Sequence, residues 1–344
     1  MKPLLLYFGP QWDGSTSLQR LQAFQRMEQL RVLGIDSGAI IGGKASLWRR
    51  LRWRLRMPVD SLAENERLLT AARNHGPDIV LVDNSRVIRT RTLSQLRDLG
   101  VRRLVYYSPD DIVARHNLSL PLRASLPHWD IVCTTKTFNV PELASLGVRR
   151  ALLIGKAYDP DLHKPMSRAD VGEDYERFDA VFIGAYERER ARSLNALAAT
   201  GIRLVIYGKD KGGWRTRWLH DSVDLRPSLF GREYVAAWHT GKVALCFLRK
   251  INRDRITQRT MEIAAMGRPM VGERTDEHDA HFEHGREYIG FASDDELRRA
   301  VEGLLQDDER RIAVGAAGRR RCITRGYSTD ARAREMLAAV LDAS

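Results

Sequence analysis

Cysteine is scarce in this chain of 344 residues: Cys133, Cys246 and Cys322 lie far apart. That spacing excludes a disulfide framework and a paired-cysteine metal site. Cys133 and Cys246 sit inside apolar runs and read as small buried hydrophobes of a reducing cytoplasm. No run of about 18 apolar residues occurs, which excludes a membrane-spanning helix. The opening MKPLLLYFG is broken by Gly9-Pro10 too soon for a secretory leader and is expected to be a first strand. Acid is in deficit, 44 Asp and Glu against 56 Lys and Arg, giving a net charge of +12. This balance favours an anionic partner, and nucleic acid, an anionic lipid surface and a nucleotide diphosphate all satisfy it. Repeats and low-complexity tracts are absent too. With 43% hydrophobic and 8% aromatic residues the chain is globular, and its length predicts two domains of about 150–180 residues each.

What is present is an alternation of short apolar strands and helices, the pattern of a parallel sheet covered on both faces. Strands are predicted at Pro3–Phe8, Ile79–Val82, Arg103–Tyr107, Ile131–Thr134 and Ala151–Ile154. A first helix is predicted to open at Gly14-Ser15-Thr16-Ser17 and run to Leu33. The alternation restarts at Ala180, with strands at Val181–Ile183, Leu204–Tyr207, Val243–Phe247 and Pro269–Val271. The polar interval from Gly155 to Phe178 reads as the linker, giving domains 1–160 and 161–344, the C-terminal helix being free to pack back on the first. Ligands of such sheets bind beyond the carboxyl ends of the strands, so the loops there are the functional ones.

The densest chemistry runs from Asn252 to Phe291. Thr260–Met266 suits a short helix, ended by Gly267 in the left-handed conformation and by Pro269. Its N-terminus then falls near Thr257–Arg259, where unpartnered amides carry partial positive charge and suit a diphosphate. Arg259 adds a guanidinium fork, and the hydroxyls of Thr257 and Thr260 can donate. Glu262, about one turn deeper, can accept from both hydroxyls of a ribose. Asp254, on the preceding loop, can reach a sugar on the other side of the phosphates. An amphipathic helix with solvated charges is the plain alternative.

This stretch resembles the nucleotide-sugar half of GT-B glycosyltransferases, in particular the CgeB-like, spore-maturation group. Phe182-Ile183-Gly184-Ala185-Tyr186 with Arg188, Ile206-Tyr207-Gly208, Tyr234, Lys242–Leu248 and Leu297 are similar to the same pattern. The likeness is good from Asp179 to Leu337 and loose before it. It implies an α/β fold of two Rossmann-like doubly wound domains facing across a cleft, and transfer of a sugar from a nucleotide-diphosphate sugar to a glycan or glycolipid acceptor, with retention. No metal and no cofactor are implied, because amides and cations stabilise the leaving diphosphate. Asp254, Arg259 and Glu262 are the implied catalytic set. Gly184, Arg188, Gly208, Lys209, Thr257, Thr260, Glu273 and Arg274 join Arg259 and Glu262 around the nucleotide sugar. Two departures stand out: Asp254 replaces the usual glutamate of retaining GT-B enzymes, and their phosphate-binding Arg-and-Lys pair has no clear counterpart.

On the acceptor side, Gly14, Ser15 and Thr16 either approach the ligand or form a turn and cap. Asp110 and Asp111 either serve the acceptor or cap a helix. His116 contacts sugar or is structural. Ser46–Met57 (SLWRRLRWRLRM) holds five arginines, two tryptophans and no acid. On a helix, Leu47, Trp48, Leu51 and Leu55 form a stripe able to pack on the domain, leaving Trp53 and Met57 among arginines. That arrangement suits the anionic inner face of a cytoplasmic membrane, to which a cytoplasmic protein binds peripherally. The rivals are a catalytically inactive sugar-nucleotide-binding relative and a basic nucleic-acid-binding protein; the latter does not account for the Asn252–Phe291 pattern.

Overall fold

A computed structural model describes residues 2–38, 47–210 and 212–342. The chain forms two compact units, Met1–Gly155 with Thr329–Ser344, and Lys156–Ser328. The division falls five residues before the 160/161 boundary read from the sequence, and the last helix belongs to the first unit.

Unit one runs β1 (Leu4–Gly9), α1 (Thr16–Gln25), β2 (Arg31–Asp36), α2 (Leu47–Arg54), α3 (Glu64–His75), β3 (Ile79–Asp83), α4 (Thr90–Asp98), β4 (Arg103–Ser108), α5 (Leu120–Ser125), β5 (Ile131–Thr134), α6 (Asn139–Ser145) and β6 (Ala151–Leu153). Unit two runs α7 (Arg168–Val171), β7 (Phe178–Ile183), α8 (Arg188–Ala198), β8 (Leu204–Tyr207), β9 (Asp224–Arg226), α9 (Gly231–Trp238), β10 (Gly241–Cys246), α10 (Gln258–Ala265), β11 (Met270–Glu273), α11 (Asp276–His281), β12 (Ile289–Phe291), α12 (Asp294–Gln306) and α13 (Asp308–Thr324). The chain then returns to unit one as α14 (Thr329–Leu341).

Every strand pairing is parallel, in the orders β2-β1-β3-β4-β5-β6 and β12-β11-β10-β7-β8-β9. Successive side chains alternate between faces, so each sheet feeds two cores. In unit one, Leu6, Phe8, Val80 and Val82 enter one core, and Leu5, Tyr7, Ile79 and Leu81 enter the other. In unit two, Val181, Ile183, Ala244 and Cys246 oppose Ala180, Phe182, Val243 and Leu245 in the same way. This burial on both faces is why the central strands read as unbroken apolar runs. The strand order reverses between β1 and β3 in unit one and between β7 and β10 in unit two. Those are the points where ligands of open parallel sheets bind.

Three strands escape the sequence reading. The first helix stops at Gln25, not Leu33, and residues 31–36 form β2. As an edge strand, β2 is only half-buried and contains Gly34, so neither alternation nor an apolar run marks it. β9 and β12 are three-residue edge strands. α14 lays Ala333, Met336, Leu337 and Val340 into the core shared with Tyr7 and Phe24. Its Asp330 pairs with Arg26, the C-cap of α1. All three cysteines are free and buried, and burial raises each thiol above its ordinary range, as expected of inert core positions.

α2 departs from expectation. Trp48, Leu51 and Leu55 of the stripe expected to pack inward are 63%, 48% and 59% exposed. Trp53 is exposed as well, with the Arg86 guanidinium 5.4 Å from its ring centroid. These three side chains therefore do not enter the core, and Trp48 and Leu51 line a cavity; Ser46 and the Leu47 side chain lie outside what the structure describes.

Candidate functional site

α10 starts in the loop that follows β10, beside the switch point of unit two. Thr257 is its N-cap. The Thr260 amide donates to the Thr257 hydroxyl and the Thr257 amide to Thr260 Oγ1, both at 3.4 Å, a capping box made of two threonines. Gly267 ends the helix with φ +70°, the left-handed stop read from the sequence. Thr260 is fully buried, and its Oγ1 lies 2.8 Å from His278 Nε2. His278 Nδ1 lies 2.6 Å from the Glu273 carbonyl oxygen. A carbonyl only accepts, so Nδ1 holds the ring proton and Nε2 accepts from the Thr260 hydroxyl. Burial keeps the ring neutral, lowering its pKa to about 4. The end of β11 is thereby tied to the first turn of α10, whose amides lack intrahelical acceptors.

Two guanidiniums share this region. Arg259 is half-buried, and its Nε is buried without a hydrogen-bond partner. Arg190 of α8 is 7% exposed, and its Nε is also unpartnered. Arg190 is held by carbonyls, donating to Ala185 O and to Leu248 O at 3.0 Å, with Glu187 at 3.8 Å. Burial foremost, and then the like charge of Arg259, pull its pKa below the ordinary value. Two cations so placed make a site for an anion. The sequence reading favours Arg188, which opens α8 and is exposed. Arg190 instead sits on the buried stripe of α8 with Ala191, Leu194 and Leu197. An arginine at a core-facing helical position is the signal that identifies it.

Glu262 is 5% exposed. The Tyr234 hydroxyl of α9 donates to its Oε2, and His163 Nε2 lies 3.8 Å from its Oε1. The Asp159 amide donates to His163 Nδ1 at 2.9 Å, so Nε2 carries the proton, and it has no hydrogen-bond partner. Glu262 thus has a hydrogen-bond partner on Oε2, while the buried His163 Nε2 stands near Oε1 without bonding to it. Neither His163 nor the bond from Tyr234 is legible from local spacing.

Asp254 follows Arg253, which has φ +47°, and accepts from Asn252 Nδ2 at 3.2 Å. Gly184 and Gly208 serve close packing. A Cβ on Gly208, at φ +147°, would stand 2.6 Å from the Gly184 carbonyl, which itself accepts from Trp214 Nε1 at 2.8 Å. Lys209 is exposed beside them. Glu273 and Arg274, expected to line one cleft, engage different partners: Glu273 ends β11 and Arg274 opens the loop after it. Glu273 accepts from the Leu248 amide, and burial raises its carboxyl. Arg274 donates to Asp279 at 2.9 Å and lines a separate surface cavity with His284 and Arg299.

The residues predicted for the acceptor divide. Ser15 is the N-cap of α1, accepting from the Leu18 amide at 3.1 Å and donating to Pro10 O at 2.8 Å. Gly14 takes φ +84° in the turn before it, and Thr16 accepts from Arg20 at 3.4 Å. The turn-and-cap reading therefore accounts for these three. Asp111 is fully buried and accepts from Asn139 Nδ2 at 2.9 Å and from the Ala114 amide at 3.1 Å. No helix starts after it, residues 112–117 being turns and a bend, so it holds a turn where a helix cap was expected, and it is not open to an acceptor. Asp110 is half-buried, with Arg86 at 3.6 Å, and His116 is exposed. Asp83, at the end of β3, is held by Arg20 at 2.7 Å and by the Tyr7 hydroxyl. Among the described residues no three His, Cys, Asp or Glu side chains are grouped to hold a metal ion, and no helix is long and apolar enough to cross a membrane.

Residues 188–338 match a family model described as glycosyl transferase-like. No curated protein matches the chain by sequence. Solved structures of the same fold include Anabaena HepE in complex with UDP-glucose, at 14% identity and TM-score 0.67, covering 98% of this chain and 100% of that one. Sucrose-phosphate synthase from Thermosynechococcus elongatus superposes at 12% identity and TM-score 0.66, covering 98% of each. The T4 phage BGT in complex with UDP-glucose follows at 12% and 0.60, covering 98% and 99%. The fold is therefore GT-B, and residues 188–338 match a glycosyl transferase-like family.

Proposed function

We propose that this GT-B glycosyltransferase takes a UDP-sugar as donor in its second unit and passes the sugar to a hydroxyl of a glycan or glycolipid acceptor. The observation that carries the reading is the convergence on the β7/β10 switch point of the α10 N-terminus and two adjacent guanidiniums with unpartnered buried nitrogens. In this reading the diphosphate lies against the first-turn amides and Arg259 and Arg190, where helix partial charge and guanidiniums stabilise the charge that develops as it leaves. Glu262, braced by Tyr234, takes the ribose hydroxyls. Asp254 attends the donor sugar. The acceptor oxygen bonds to the anomeric carbon as the bond from that carbon to the diphosphate breaks, and the hydroxyl proton leaves with the diphosphate.

UDP is favoured among nucleotides because HepE and the T4 enzyme are solved with UDP-glucose. Retention, the CgeB-like subgroup and action without metal or further cofactor rest on the resemblance of Asn252–Phe291 and on the cationic character of the site. A role in cell-surface glycan synthesis at the inner face of the cytoplasmic membrane rests on the exposed Trp and Arg side chains of α2. Calorimetric titration with UDP, UDP-glucose and uridine tests the core of the reading. Tight binding of UDP and its sugar, with much weaker binding of uridine, is the expected result; equal binding of all three would remove the diphosphate site.

A further inference from the structure

One buried donor of unit two has no acceptor. His163 is 2% exposed, and its Nε2 is buried without a hydrogen-bond partner. Buried polar groups are almost always paired, so an orphan calls for an explanation. The turn from Asp159 to His163 holds this ring in place. The Asp159 amide donates to Nδ1 at 2.9 Å, and the His163 amide donates back to the Asp159 carbonyl at 2.9 Å. Asp159 Oδ1 in turn accepts from the amides of Asp161 and Leu162 at 2.8 and 3.1 Å. The Nδ1 bond fixes the tautomer and leaves the proton on Nε2. The ring stands edge-on to Tyr234, with centroids 6.2 Å apart. Both rings meet one carboxylate: the Tyr234 hydroxyl donates to Glu262 Oε2, and His163 Nε2 lies 3.8 Å from Oε1.

Lone pairs show what this arrangement is short of. An ionised carboxylate offers about four acceptor sites, shared equally by its oxygens. Tyr234 takes one on Oε2. A shift of under about 1 Å brings Oε1 into bonding range of Nε2. One site then remains on each oxygen, which is what a vicinal diol needs. We propose that His163 is a positioning residue for Glu262: as the nucleotide seats, Oε1 closes on the Nε2 proton, and the carboxylate, gripped through both oxygens, receives the two ribose hydroxyls as a pair. This rests on the donor reading above and adds the means by which ribose is told from 2′-deoxyribose. A bound ribose excludes water from the carboxylate, and a hydrogen bond strengthens where the local dielectric is low, so ligand and His163 close on Glu262 together. The unpaired donor is a bond that the ligand completes.

The test is calorimetry on the full chain with UDP and 2′-deoxy-UDP. Wild type should favour UDP by about tenfold or more, the scale of one hydrogen bond to a charged group. His163→Asn keeps an acceptor for the Asp159 amide but is too short to reach Glu262, and should bring the two nucleotides within about threefold of each other. His163→Gln places an amide N–H where Nε2 stands and should restore most of the preference. A role confined to holding the turn predicts the reverse order, since Asn preserves the Asp159 bond better than Gln. In a Glu262→Gln background, His163→Asn should weaken UDP no further, because it acts through the carboxylate. NMR of the wild-type imidazole protons needs no variant: the His163 Nε2 proton should move downfield on saturation with UDP. No preference for UDP in the wild type, a wild-type preference in His163→Asn, an additive loss in the double variant, or an Nε2 proton that UDP leaves unmoved each overturns the inference. In all four cases tight UDP binding by the wild type leaves the donor reading standing. A wild type that does not bind UDP strikes the donor reading and this inference with it.

Discussion

The Thr260 hydroxyl donates to His278 Nε2 across 2.8 Å, and His278 can accept only while neutral. His239 is fixed similarly: Nε2 accepts from the Met166 amide at 3.0 Å, and Nδ1 faces Val235 O at 2.9 Å. Burial lowers both rings to a pKa of about 4 from the ordinary 6.5. Between those values the unfolded chain binds protons that the native chain does not, so stability rises with pH across the window. The contribution is complete above pH 6.5 and is lost as pH falls toward 4. At about 1.4 kcal/mol per unit, each ring contributes on the order of 3 kcal/mol. Denaturant unfolding between pH 7 and 4 should show this slope, and His278→Gln should flatten it. The carboxylates held low by ion pairs, such as Asp174 and Asp179, act at lower pH, so a slope confined to values below 4 would refute the histidine account.

Arg190 and Arg188 stand two residues apart and should behave oppositely. Arg190→Gln removes a guanidinium from the anion site. Loss of a charge-assisted hydrogen bond is worth about 1.5–3 kcal/mol, so UDP affinity should fall roughly ten- to a hundredfold with uridine affinity unchanged. Arg190→Lys, which keeps the charge, should restore part of it. Exposed Arg188→Ala should alter UDP binding by no more than about twofold, the scale of an exposed charge. Equal effects of the Arg188 and Arg190 substitutions in calorimetry would dissolve the assigned pair.

What the sequence makes legible is what is local. The α10 start and stop are set by Thr257, Thr260 and Gly267 within a dozen residues, and the central strands by apolar runs such as Ile79–Val82. The β2 edge strand is not legible, because half-burial leaves it no periodic signature. Arg190 is obscured by its neighbours in Glu187–Arg192, where only the helical period separates the buried arginine from the solvated ones. His163 and Tyr234 reach Glu262 from separate segments, so tertiary folding alone brings them together. The same holds for Asp111: its role depends on Asn139, supplied by a helix that lies beyond the next strand.

Those partners change what Glu262 should do on mutation. Glu262→Ala strips the half-buried Tyr234 hydroxyl of its acceptor, which costs about 1 kcal/mol of stability, the low end for an unsatisfied group. Nucleotide binding should fall in the same variant. Glu262→Gln retains an acceptor for Tyr234, so it should keep most of the stability while losing roughly ten- to a hundredfold in affinity for UDP. Thermal unfolding and calorimetry on the two variants separate the effects. A Gln variant that binds UDP as tightly as wild type, or discriminates uridine from 2′-deoxyuridine equally well, would mean the ribose lies elsewhere.

Chelation probes the leaving-group chemistry. With Arg190, Arg259 and the α10 amides supplying positive charge, transfer should persist in EDTA at an unchanged rate. The carboxylates of Asp110 and Asp111 are the sharpest competitors, but Asp111 is occupied by Asn139 and the Ala114 amide. Complete loss of transfer in EDTA, restored by magnesium or manganese, would require a metal site and a different account of leaving-group stabilisation.

The cations of α2 make a separate prediction about membranes. Arg52 and Arg54 lie on a helix with no acid, beside exposed Trp48 and Trp53. Near an anionic surface each arginine contributes on the order of 1 kcal/mol, an attraction that salt screens. The chain should therefore co-sediment with phosphatidylserine-containing vesicles and not with neutral ones, and release as salt rises. Arg52→Glu with Arg54→Glu reverses two charges and should abolish sedimentation without changing UDP affinity, since the residues assigned to UDP all belong to unit two. Sedimentation that is equal on neutral vesicles would assign the contact to the tryptophans alone. Tight, salt-sensitive binding to nucleic acid with no binding to either vesicle would give the basic helix a different anionic partner.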